Sequence, residues 1–126
     1  MEELILEPYT VHQRWRFLGD ADKWENLISE FMEMIARRCH EAGKGMIGHI
    51  KALALFPDGG YLRVSIVSPT LPAGVEGNVP MDCTELVLIL NVIVYGLERN
   101  ALERLTRETA DQVTQKWKGG VTIEAI

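Results

Sequence analysis

Cysteine is scarce in this chain: Cys39 and Cys83 are the only two among 126 residues. Two thiols are too few for a disulfide scaffold, and neither stands in a C-x-x-C pair. Long apolar runs are scarce as well. The longest, residues 86–94, is interrupted by Asn91 and falls well short of the ~20 residues a membrane-spanning helix requires. Positive charge is in deficit, with 13 Lys and Arg against 18 Asp and Glu, a net charge of −5. General nucleic-acid binders displace counterions with Lys and Arg, so this balance argues against a nucleic-acid partner. The opening residues Met1-Glu2-Glu3-Leu4-Ile5-Leu6 are acidic where a secretory leader is basic. These deficits together imply a cytoplasmic protein with reduced thiols and no membrane partner.

Hydrophobic residues at 47% and charged residues at 25% match an ordinary globular composition. Residues 1–126 therefore read as a single α+β domain, long enough to bury a core without disulfides or a structural metal. Alternation over residues 10–18 sets Val11, Gln13, Trp15 and Phe17 against His12, Arg14 and Arg16, the mark of a half-buried strand. A helix follows. Asp22 with Glu25 has capping-box spacing, and Trp24, Leu27, Ile28, Phe31, Ile35, Cys39 and Ala42 recur at helical spacing. Arg37, Arg38 and His40 then suit the negative end of the helix dipole, and Gly43 suits the left-handed position that ends it.

Two strands, residues 46–56 and 61–68, flank Pro57-Asp58-Gly59-Gly60, a turn in which Pro presets φ and Gly59 supplies a positive one. A three-residue loop pairs Phe56 with Gly60. Ile50, Ala52, Ala54, Leu62, Val64 and Ile66 then share one face, and His49, Lys51, Leu53, Tyr61, Arg63 and Ser65 share the other. A slip of one residue would scatter the charges over both faces. Residues 68–83 hold three prolines and two glycines without periodicity and read as one long loop. Residues 86–95 form a nearly all-apolar strand, as expected of a central strand covered on both faces. Asn100 with Glu103 repeats the capping-box spacing and opens a second helix, with Leu102, Leu105, Val113 and Trp117 inward and a Glu103–Arg107 pair outward. Residues 121–125 supply a last short strand. The order β-α-β-β-β-α-β describes two helices packed on one face of a mainly antiparallel sheet, a ferredoxin-like variant. Its other sheet face must be polar or must meet another chain, which implies a homo-oligomer.

Most of the motif-like spacings dissolve on inspection. Gly43-Lys44-Gly45-Met46-Ile47-Gly48 matches the letters G-x-G-x-x-G, but a dinucleotide site needs a strand before the glycines and a helix after them. Here the order is reversed. His12, His40 and His49 show no metal-ligand spacing, and no metal or cofactor is expected. Cys83 lies between Asp82 and Thr84 with Glu85 next, and such acids disfavour the thiolate a nucleophile needs. Trp24 reads as core, whereas Trp15 and Trp117, near element ends, fit core or interface.

One cluster carries chemistry. Between residues 37 and 63 there are five cations and two acids. Within that stretch His49, Lys51 and Arg63 share the polar strand face with Ser65, and Asn91 joins them if its strand pairs in register. Such a group could hold a phosphate or carboxylate, or could simply keep an outer sheet face soluble. Two functional readings follow. The first is a non-catalytic homo-oligomeric binding or assembly module. The alternative is a small enzyme or sensor acting on an anionic metabolite at a subunit interface, with His49 as acid or base and the 68–83 loop as cover.

Overall fold

The computed structural model describes residues 7–17, 23–42, 47–80, 82–118 and 120–126. Its elements are β1 (Tyr9–Phe17), α1 (Trp24–Ala42), β2 (Ile47–Leu55), β3 (Tyr61–Ile66), β4 (Gly74–Asn78), β5 (Glu85–Val94), α2 (Arg99–Lys116) and β6 (Val121–Ala125). The strands form one sheet in the order β4-β3-β2-β5-β1-β6, and every neighbouring pair is antiparallel. The result is an α+β fold with two helices on one sheet.

The apolar alternation fixes which sheet face the helices cover. Trp15 and Phe17 of β1, Ile50, Ala52 and Ala54 of β2, and Leu62, Val64 and Ile66 of β3 are buried, as are Leu86, Leu88, Leu90, Val92 and Val94 of β5. Above them α1 lies over β2 and β3, and α2 over β1 and β6. The two helices are tied to each other by Lys116 with Glu30 and by Arg38 with Gln112. Aromatic rings organise the middle of this layer. Trp15 meets Phe31 edge-on at 5.0 Å, and Phe17 meets Trp24 and Trp117 at 5.5 Å each. Trp15 and Trp24 are therefore both core residues. The indole of Trp24 also donates to the Cys83 carbonyl at 2.8 Å, which anchors the segment leading into β5.

The β2–β3 hairpin closes as its turn residues dictate. The Phe56 amide donates to the Gly60 carbonyl at 3.0 Å and the Gly59 amide returns a bond to Phe56 at 3.1 Å, with Gly59 at φ +99°. Leu55 pairs with Tyr61 and Ile50 with Ile66, so the two faces separate as the alternation requires.

Several expectations need correction. Residues 68–83 are not one structureless loop, because Gly74–Asn78 pairs along β3 as an edge strand; the sheet has six strands, not five. Strand β5 is central but covered on one face only: Val87, Ile89, Asn91 and Ile93 are half-buried on the side away from the helices. Helix α2 begins at Arg99 with Glu98 as N-cap and no side-chain cap bond, so the Asn100–Glu103 box does not form the start. Its first free amide, on Arg99, is taken by the Glu7 carboxylate at 3.1 Å, a partner too distant in sequence for a local motif to reveal. In α1 the buried stripe includes Met32 and Ala36, while Ala42 is exposed. The proposed caps Asp22 and Gly43 lie outside the described residues.

Candidate functional site

The helix-free face of the sheet is built from the alternate residues of each strand. The register aligns them in rows that run across the strands. One row reads Gly74, Ser65, Lys51, Asn91, Thr10 from β4 through β1. The next reads Glu76, Arg63, Leu53, Ile89, His12, and the third reads Asn78, Tyr61, Leu55, Val87, Arg14. Polar groups thus occupy the first row from Ser65 to Thr10 and the two flanks, while Leu53, Leu55, Val87 and Ile89 make a continuous apolar centre. Leu55 is 41% exposed despite its size.

Lys51, Arg63, Ser65 and Asn91 of the expected cluster line one open hollow of about 640 Å³, together with Leu53, Ile89 and Glu76. The register that Asn91 needed is present, since it lies directly across from Lys51. The fifth candidate, His49, pairs with Ile93 in the same register as Lys51, with the bulge in β2 falling between it and Ile47, but it is not among the residues lining the hollow. That bulge falls at Gly48, where an added Cβ would sit 3.0 Å from the Ile93 carbonyl oxygen. The last glycine of the G-x-G-x-x-G string therefore serves a close backbone approach in a strand, after a helix rather than before one.

Two details set the chemistry of the hollow. The Thr10 hydroxyl donates to Asn91 Oδ1 at 3.0 Å, which leaves the Asn91 amide hydrogens to be donated elsewhere. The Arg63 guanidinium lies 5.6 Å from the centre of the Tyr61 ring, a cation–π distance that steadies its planar fork. Glu76, which sequence reasoning left inside a loop, faces Arg63 from β4. The strand carrying it has two glycines, a Glu and an Asn in five residues, so no alternation could have announced it. With Glu76 counted, the hollow holds two cations and one carboxylate.

Both thiols are buried and free. Burial pushes Cys39 up to about 12, and Cys83 Sγ lies 3.2 Å from the Glu85 carbonyl oxygen, to which it donates. Among the described residues, no group of three or more His, Cys, Asp or Glu could hold a metal ion, and no helix is long and apolar enough to cross a membrane. Comparison with protein-family models, curated proteins and solved structures finds no match for this chain. The functional reading therefore stands on the helix-free face and its hollow.

Proposed function

We propose that this chain is a single α+β domain that works as a homo-oligomeric binding and assembly module, joined to a second copy through the helix-free sheet face. The observation that carries the reading is the apolar centre of that face, Leu53, Leu55, Val87 and Ile89, on which no helix among the described residues packs. Antiparallel sheets tolerate a solvated face when it is polar; this one is polar only at its margins. Size supports a copy of the chain as the occupant. Six strands of five to ten residues, at ~4.8 Å between strands and ~3.3 Å per residue, make a face of roughly 700 Å². One side of a standard stable interface covers about 800 Å².

Self-complementarity supports it further. A two-fold axis running along the strands between β2 and β5 would lay Leu53 on the partner's Ile89 and Leu55 on the partner's Val87. The same axis would set Lys51 against the partner's Asn91. Apolar groups then meet apolar groups, and the ammonium meets an amide rather than another cation. The strand order supports a ferredoxin-like variant as the underlying architecture. Without β3 and β4 it runs β2-β5-β1-β6, in which each helix links two strands that flank a third. The added strands widen the face available to a partner.

Leu55→Asp tests the assembly reading, because Leu55 is exposed in the lone chain and an Asp there leaves the core intact. Light scattering after size exclusion should show an oligomer for the parent and a monomer for the variant, with unchanged far-UV circular dichroism. A variant with the same mass as the parent would contradict the proposed face.

The second reading, a sensor or enzyme for an anionic metabolite, has one observation in its favour: Lys51, Arg63, Ser65 and Asn91 line the same hollow. His49 lies outside that lining, so an acid–base role for it has no geometric support, and binding is the part of this reading that stands.

A further inference from the structure

The hollow beside β4 is more specific than a general anion site. We propose that it binds a small monocarboxylate with an apolar body, such as a short aliphatic or aromatic acid, and that a second copy of the chain closes over it. Three features select that class. Charge comes first: Lys51 and Arg63 oppose Glu76 across the same hollow, which leaves one net positive charge. A phosphate monoester or inorganic phosphate carries more negative charge than this balance neutralises, and would lie close to the Glu76 carboxylate. A carboxylate matches it.

Donor placement comes second. Ser65, Lys51 and Asn91 occupy one row on three adjacent strands, so a hydroxyl, an ammonium and an amide follow one another at the spacing of neighbouring strands, ~4.8 Å. Because Thr10 occupies the Asn91 carbonyl oxygen, the amide can offer its hydrogens to the same anion. Gly74 extends the row at the sheet edge, and its lack of a side chain leaves space above Ser65, where an added Cβ would meet only Ser65 atoms, at 3.5 Å or more. Third, the floor of the next row is Leu53 and Ile89, which suits the hydrocarbon part of an acid whose carboxylate rests on Lys51; in the dimer that hydrocarbon takes the place of the direct contact between Leu53 and the partner's Ile89. Ligand pockets commonly combine such an apolar floor with a few placed polar groups.

This inference rests on the assembly reading for the closure of the hollow, which is open to solvent in one copy. The two are separated by measuring binding and mass on the same samples. Hexanoate, benzoate, hexanamide and inorganic phosphate are titrated into isotope-labelled full-length protein and followed by amide chemical shifts. The expected result is saturable binding of hexanoate or benzoate, with shifts centred on residues 51, 63, 65 and 91. Hexanamide and phosphate should bind more weakly, and Lys51→Ala should lose about tenfold or more in affinity, the worth of a charged hydrogen bond. Lys51→Arg should retain most of it. Phosphate binding tighter than hexanoate, shifts centred elsewhere, no saturation in the millimolar range, or an unaffected Lys51→Ala would each overturn the ligand. An oligomer that ignores the acids overturns the ligand alone, whereas a monomer that binds them overturns the assembly reading and leaves the site standing.

Discussion

At the residue scale, individual side chains show how the chain resolves competing demands. Cys39 is fully buried in α1, and burial holds its thiol neutral up to about pH 12 against an ordinary value of 9.0. The unfolded chain therefore releases this proton at a lower pH than the native one does. Stability from the neutral thiol is complete below about pH 9 and is lost as the pH climbs toward 12. Tyr9 is raised in the same direction, by burial first and then by Glu103. Urea unfolding at pH 7.5, 9.5 and 10.5 should therefore show a steeper decline for the parent than for Cys39→Ala; parallel declines would remove Cys39 as a cause. Trp24 illustrates a second demand. It is buried against Phe17 and Phe56 and also satisfies the Cys83 carbonyl. Trp24→Phe keeps a ring but orphans that carbonyl, a loss of roughly 1–3 kcal/mol that the denaturation midpoint will report. A midpoint within error of the parent would show that water takes over the bond.

At the element scale, the edge strand β4 is held by backbone pairing to β3 and by one half-buried side chain, Val75, packed against the core. Gly77 has φ +122°, and a Cβ there would meet the Tyr61 carbonyl oxygen at 2.2 Å. Gly77→Ala should therefore detach β4 from β3. Loss of amide-exchange protection along residues 74–78 would report it, while protection in β5 should persist. Retained protection in β4 would mean that the strand tolerates the shift. This strand also marks the limit of what the sequence made legible. Strands β1, β2 and β3 and both helices announce themselves because burial of one face imposes a period on their residues, whereas β5 does so by its apolar run. The hairpin register follows from Pro57, Asp58 and Gly59 for the same kind of local reason. Strand β4 has a single half-buried residue, Val75, so Gly74–Asn78 carries no period, and pairing with the neighbouring β3 backbone makes it a strand. The start of α2 was misread for a related cause. Asn100 and Glu103 have the right spacing, yet Glu7 arrives from the far end of the chain to serve the helix. Glu7→Gln should cost about 1 kcal/mol or less, through the lost charge at the helix N-terminus.

At the scale of the whole molecule, the candidate site was partly legible. Lys51, Arg63 and Ser65 followed from the hairpin register alone, and Asn91 from the pairing of β5 beside β2. What was missing was Glu76, and with it the charge balance of the hollow. His49 keeps the strand face and register of Lys51, and only the extent of the hollow, which no periodicity encodes, leaves it outside the lining. The asymmetry of the fold is plainer: both helices lie on one side, and the centre of the other side is Leu53, Leu55, Val87 and Ile89. The hydrophobic effect gives such a surface a driving force for burial of about 25 cal/mol per Å² of apolar area, with no helix among the described residues placed to supply the cover. Native mass spectrometry of the unmodified protein at low micromolar concentration tests this most directly. A dimer at twice 14.2 kDa, or a higher even-numbered oligomer, is the predicted result; a 14.2 kDa monomer throughout the concentration series would contradict the account.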